Sequence, residues 1–188
     1  MAKFLIAGLG NTGAEYTHTR HNIGFIILDA IAQAEKLKFS FKRYGEIAAF
    51  AFNRSTCLLL KPATFVNRSG FALHYWLKKE KIPVDKMLVV VDDIGLPFGT
   101  IRIRKKGSDG GHNGLAHINS ILETSDYSRL RFGIGNEFQK GGQVDYVLGE
   151  WTRDEKSKLP ERIIVCIDAI KSFGLNGIDK TMTLFNGK

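Results

Sequence analysis

KFLIAGLGNTGAEYTHTRHNIGFIILDAIAQAEK, Lys3 to Lys36, is the stretch whose reading decides the fold. It opens with an apolar run, Lys3 to Ala7, that predicts a short strand buried on both faces. Seventeen residues follow, Gly8 to Gly24, holding four Gly, two Asn, two His, one Arg and one Tyr. Then Ile23, Ile26, Ile27, Ala30, Ile31 and Ala34 recur at helical spacing, predicting a helix from about Ile23 to Lys36 with Asn22 as its N-cap. Strand, polar loop and amphipathic helix in that order form the repeating unit of an α/β domain. A Gly-rich polar loop between two rigid elements is also where binding and catalysis concentrate.

Gly8, Gly10 and Gly13 match the dinucleotide pattern G-x-G-x-x-G, yet the context does not. In that fold the helix starts at the glycines, so that its N-terminus holds a pyrophosphate. Here Ala14 to His21 has no apolar period, and Asp29 falls inside the helix pattern rather than at the end of a second strand.

The rest of the chain continues the alternation. Strands are predicted at Tyr44 to Asn53, Thr56 to Lys61, Met87 to Val91, Thr100 to Lys106 and Leu130 to Gly135. Helices are predicted from about Ser69 to Lys81, into Leu122 after a cap at Asn113 or Ser108, and from Arg153 to Phe173. Pro160 is expected to split or kink the last of these. Val144 to Leu148 reads as strand or turn, and the tail from Gly174 has no firm period beyond a short packed segment at Met182 to Phe185. No repeat, linker or composition shift divides the chain. The expectation is one domain over residues 1–188, a three-layer α/β/α fold around a central, mostly parallel or mixed sheet.

Composition narrows the function classes. Hydrophobic residues make up 44% of the 188, and no apolar run reaches the length of a membrane span. The first residues read straight into a strand without a leader pattern, so a cytoplasmic protein with no membrane contact is expected. Cys57 and Cys166 sit in apolar runs without metal-ligand spacing and read as buried thiols. Lys plus Arg outnumber Asp plus Glu 27 to 19, a net charge of +8, and the excess clusters. Arg102, Arg104, Lys105 and Lys106 lead into the loop Gly107 to Gly114, and Arg129 and Arg131 share one face of a later strand. Such clustering suits phosphate groups.

Three polar loops follow strands, and each carries an Asn: Asn11, Asn67 and Asn113. The buried strand ending at Val91 delivers Asp92. Ligands of α/β sheets bind outside the carboxyl ends of the strands, so these groups are candidates for one crevice. His21 is the best general base, because imidazole titrates near neutral pH. Asp92 is placed to accept its other ring N–H, and Asn side chains can donate to a carbonyl or the oxyanion formed from it. No G-x-S-x-G elbow presents a serine nucleophile, which favours an activated water. Two readings stay open for His112: a phosphate or ribose contact, or a structural hydrogen bond. Tyr16 reads either as a stacking surface for a base or ribose or as packing.

In combination these stretches resemble the bacterial peptidyl-tRNA hydrolase family. The carriers are Gly8 to Gly13, Tyr16 with Thr19 to Asn22, Phe65 to Gly70, Asp92-Asp93 with Leu96-Pro97, Gly107-Ser108 with Gly110 to Gly114, Arg129 to Gly135, and Val147 to Gly149. The resemblance implies hydrolysis of the ester between a peptide and the 3′ ribose of tRNA, by a monomer without metal, cofactor or obligate protein partner. It implies His21 as base, Asp92 as its support, and Asn11, Asn67 and Asn113 around the scissile group. It places Phe65, Val66 and His112 beside the substrate, Tyr16 by the 3′ end, and Arg104, Lys105 and Arg131 on tRNA phosphate. The chain departs from the family pattern at Thr12, where Pro is usual, at Val66, where Met is usual, and at Gly95, where Asp is usual. A non-catalytic RNA-binding protein on the same fold is the competing expectation.

Overall fold

Strands β1 (Ala2–Gly8) and β5 (Met87–Asp93) are apolar nearly throughout, so both of their faces must be covered. The period of two along a strand sorts their side chains. Phe4, Ile6, Leu88 and Val90 enter one hydrophobic cluster; Leu5, Ala7, Met87, Val89 and Val91 enter the other. The computed structural model describes residues 2–188 and shows these strands at the centre of a seven-stranded sheet. The others are β2 (Ser40–Lys42), β3 (Gly45–Phe52), β4 (Ser55–Pro62), β6 (Ile101–Arg104) and β7 (Ser128–Gly133). Their order is β2-β3-β4-β1-β5-β7-β6.

Helices cover both faces, giving the expected three layers. On one side lie α1 (Ile23–Ala34), α5 (Arg153–Asn176) and α6 (Ile178–Phe185), whose Ile27, Ile31, Cys166, Phe173 and Met182 meet the first cluster. On the other lie α2 (Ser69–Glu80) and α3 (Asn113–Leu122), contributing Leu73, Trp76, Leu115 and Ile118 to the second. A short helix, α4 (Gln143–Val147), packs Tyr146 and Val147 against the edge of the first cluster. No helix among the described residues is long and apolar enough to cross a membrane. Both cysteines are buried thiols; burial pushes Cys166 up to about 12 and Cys57 higher still.

The sheet is mixed. β4, β1, β5 and β7 run parallel, while β3, β2 and β6 are antiparallel to their neighbours. All four parallel strands therefore end at one edge, and the loops that follow them share it.

Several expectations need correction. Val144 to Leu148 is helical, in α4, rather than strand or turn. The segment from Gly174 carries α5 on to Asn176 and then forms α6. Helix α5 continues through Pro160 without a break, its start secured by a capping box between Thr152 and Glu155. Strand β2 was not anticipated, because its three residues are all exposed and carry no apolar period. Helix α3 is capped by His112, not by Asn113 or Ser108. Asn22 does take the N-cap position of α1, but its side chain makes no capping bond and is engaged with Asn11 instead.

Candidate active site

The first loop is held by backbone proximity. A Cβ on Gly8 would meet the Gly24 carbonyl oxygen, and one on Gly24 would meet the Leu9 backbone and the Val90 carbonyl. Only glycines allow the start of α1 to approach β1 and β5 this closely. Within that frame the Asn22 side chain staples the loop to itself. Its Oδ1 accepts from Asn11 N at 2.8 Å and its Nδ2 donates to Asn11 O at 2.9 Å. The Asn11 side chain in turn reaches the second loop, its Oδ1 accepting from Val66 N at 2.9 Å. That bond fixes the amide orientation and leaves the Asn11 NH2 as a donor.

His21 lies between Arg20 and Asn22 in a 3-10 turn entering α1. Its Nδ1 faces both oxygens of Asp92, at 2.9 and 3.0 Å. Nδ1 therefore carries the proton, and Nε2 is left with its lone pair. Asp92 is buried at the end of β5 and serves a second histidine. His112 Nε2 lies 3.0 Å from Asp92 Oδ1, while His112 Nδ1 accepts from the backbone N–H groups of Gly114 and Leu115. An Nδ1 that accepts has no proton, so His112 presents Nε2–H to the carboxylate. Of the two readings open for His112, the structural hydrogen bond is the one the geometry displays, although the ring also borders the cavity.

The electrostatics follow. Burial works to lower the His21 pKa, but the Asp92 charge and hydrogen bond together outweigh it, and the imidazole is raised above its ordinary value. Burial alone would raise Asp92; its interactions with His21 and His112 hold it well below the usual carboxylate range. The result is an ionised carboxylate that holds both imidazoles and favours the protonated form of His21 once a proton is taken up.

A cavity of about 340 Å³ opens at this edge of the sheet. Asn11, His21, Asp92, Phe65, Val66, Asn67, His112, Asn113 and Arg131 all border it. The groups expected after β1, β4, β5 and the loop before α3 are therefore brought together. Asn67 and Asn113 are exposed at its rim, and Phe65 projects there with 58% of its surface free. Tyr16 is not among the lining residues; it is half-buried in the first loop, its carbonyl accepting from Thr19 N and Oγ1. Arg104 and Lys105 are not among them either. In the β6–β7 register Arg104 stands opposite Arg129, which pairs with Val89, three residues short of Asp92. That is roughly 10 Å down the strand from the site. Arg131 does reach the cavity, with Nε 2.8 Å from Asp93 Oδ2. Arg129 was expected to share its basic face, but it is 1% exposed. Its guanidinium donates to Ser108 O and Ser125 O and lies over Tyr127. The sequence reading also missed one wall, Gln143, Val144, Val147 and Leu148, because α4 has too few residues for a helical period.

His21, Asp92 and His112 are the one group of three ligand-type side chains found among the described residues, with donor atoms within 4.8 Å of one another. The atoms that face one another are already joined by N–H···O bonds. A metal ion there would have to displace both protons.

The comparisons with known proteins agree with this geometry. Residues 5–188 match the model of the family described as peptidyl-tRNA hydrolase. Peptidyl-tRNA hydrolase of Phocaeicola vulgatus is 54% identical over 186 residues, which is 99% of this chain and 100% of that protein. The Bacteroides fragilis protein of the same name is 53% identical over the same shares. The crystal structure of peptidyl-tRNA hydrolase from Acinetobacter baumannii superposes with a TM-score of 0.92 at 30% identity, covering 98% of this chain and 94% of that one. Full-length identity above one half, with the same fold, leaves no other assignment: the chain belongs to the peptidyl-tRNA hydrolase family.

Proposed function

We propose that this enzyme frees tRNA from peptidyl-tRNA with a water molecule that His21 deprotonates. Hydrolysis of peptidyl-tRNA follows from family membership. The observation that carries the scheme is the His21–Asp92 pair at 2.9 Å, in which His21 lines the cavity and its second ring nitrogen has no protein partner among the described residues.

In this reading water attacks the ester carbonyl as His21 Nε2 takes its proton. Asp92 stabilises the imidazolium without itself becoming protonated. The Asn11 NH2, oriented by Val66 N, donates to the oxyanion, and Asn67 and Asn113 line the approach of the acyl group and 3′ end. Collapse expels the ribose oxygen, which recovers the proton from His21. Phe65 and Val66 form the apolar side of the acyl site, facing the α4 wall. Arg131, with Arg104 and Lys105 farther along the edge of the sheet, contacts backbone phosphate, and Tyr16 contributes outside the cavity toward the 3′ end. The scheme uses no metal or cofactor and no second chain, and it suits a monomer acting on tRNA in the cytoplasm.

His21→Ala tests the scheme on N-acetylaminoacyl-tRNA. Loss of a positioned general base is expected to lower kcat about 10²- to 10⁴-fold. Affinity for uncharged tRNA should stay within about threefold, since His21 makes no ion pair with phosphate. Turnover near that of the wild type would remove His21 from the base role, and loss of tRNA affinity alone would favour a binding role for the residue.

A further inference from the structure

His21 is flanked by two anchored neighbours. Asn22 is tied to Asn11, as described above. Arg20 is tied to a different part of the molecule, and nothing in the reaction scheme uses it. Its side chain is 8% exposed, and its Nη2 lies 2.8 Å from Glu155 Oε2 in the first turn of α5. The same Glu155 oxygen accepts from Thr152 N at 2.7 Å, so one carboxylate closes the capping box and binds the guanidinium. The guanidinium also stacks on α4, with its carbon 4.5 Å from the Tyr146 ring centroid and Nη1 3.4 Å from Tyr146 O. The Trp151 ring lies 5.7 Å away on another side. Backbone links complete the joint, with Arg20 N donating to Gly149 O at 3.0 Å and Thr19 bridging Glu150.

We infer that Arg20, paired with Glu155, is a positioning residue that sets the catalytic histidine against the α4 wall of the cavity. Three otherwise separate elements meet on one guanidinium: the turn that carries His21, the helix whose Val144 and Val147 line the acyl side, and the start of α5. A charged pair this deeply buried is a poor way to add stability, because desolvation consumes most of the attraction. A planar fork that reaches a carboxylate, a carbonyl and an aromatic ring at once is a good way to fix relative position. A lysine could serve only one of these partners at a time. This inference rests on the assignment of His21 as base, and the test separates the two.

Arg20→Met combined with Glu155→Gln removes both charges, leaves no unpaired buried ion, and keeps an oxygen for Thr152 N. Its melting temperature should lie within about 4 °C of the wild type, the scale of one kcal/mol in a domain of this size. Its kcat should fall about 10- to 100-fold, the consequence of a displacement on the order of 1 Å at the reacting groups. The acid limb of the pH profile should stay in place, because Asp92 still holds the ring. A folded double variant with kcat within twofold of the wild type overturns the inference. If the double variant does not fold, Arg20→Lys decides, since it keeps the charge and loses the fork. A kcat lowered about threefold or more at unchanged melting temperature supports the inference, and unchanged kcat overturns it. His21→Ala is measured alongside. If it is inactive while both Arg20 variants are fully active, only the positioning role falls; if it is active, the base assignment itself falls.

Discussion

The end of the sheet where β1, β4, β5 and β7 finish and the outer strand β6 are both rich in polar side chains, but they are built differently. At the strand ends the inner groups have fixed partners. Asn22 holds Asn11, Asn11 holds Val66, and Asp92 holds both His21 and His112. On β6, Ile101 and Ile103 point inward while Arg102 and Arg104 alternate outward into solvent. Lys105 has only an exposed pair with Asp179 at 3.9 Å. The first region can act on a bond because its geometry is set before substrate arrives. The second can attract a polyanion without any set geometry, because a charge in solvent acts over distances comparable with the Debye length. Preorganised chemistry and diffuse attraction therefore occupy different parts of the same fold, and substitutions in the two should fail in different ways.

The largest effect is expected from breaking the preorganised end. Asn11→Ala removes the proposed oxyanion donor and the bond to Val66 N together. A loss of about 10²- to 10³-fold in kcat is predicted, with little change in the salt dependence of KM. Steady-state kinetics at two salt concentrations separate these quantities, and a change confined to KM would move Asn11 from the chemistry to binding.

A substitution at Arg129 sharpens the contrast from within the basic residues. Its guanidinium is buried and holds the carbonyls of Ser108 and Ser125. Arg129→Ala is expected to cost roughly 2–4 kcal/mol of stability through those lost charge-assisted bonds, and to loosen the loop that presents His112. A denaturant titration measures this; a cost below about 0.5 kcal/mol would place Arg129 with the surface charges.

The smallest effect on chemistry is expected on the outer strand. Arg102→Ala with Arg104→Ala should leave kcat within about twofold while weakening tRNA binding. If each side chain neutralises one phosphate, the slope of log affinity against log salt should flatten by about 1.4 to 1.8. An unchanged slope would mean that β6 does not face the nucleic acid.

Much of this architecture was legible in the residue order, for a physical reason. The apolar run at Met87 to Val91 and the helical spacing from Ile23 carry their own periodicity, so β5 and α1 emerge at nearly the observed limits. His21, Asp92, Asn11 and Asn67 were identifiable because they follow strands whose carboxyl ends share one edge; Asn113 follows the antiparallel β6 and borders the cavity only because its loop returns to that edge. What was not legible depends on register and tertiary contact. Arg102 to Lys106 lead in sequence into the loop of His112, yet β6 runs antiparallel and carries Arg104 away from the site. Arg129 and Arg131 alternate with apolar residues alike, and only packing shows that one is enclosed and the other borders the cavity. The sharing of Asp92 by two histidines and the reach of Arg20 to Glu155 join residues at least twenty apart, and no spacing rule marks them.

His21 is raised by Asp92, so the neutral base that catalysis requires appears only as pH rises through that elevated value. Stability follows the opposite sign: the His21–Asp92 ion pair contributes fully below the unfolded histidine value near 6.5 and is lost as pH rises through the folded one. Asp92, held low, contributes stability above the unfolded carboxylate value near 3.9, which disappears as pH falls through its folded value.

The most direct measurement is the pH dependence of kcat/KM for the wild type and for Asp92→Asn. The account predicts a wild-type acid limb above about pH 6.5, and in Asp92→Asn a lower plateau whose acid limb has moved to lower pH, because the neutral amide no longer favours the imidazolium. An acid limb that stays at the same pH in Asp92→Asn would contradict the claim that an Asp92-held His21 is the base.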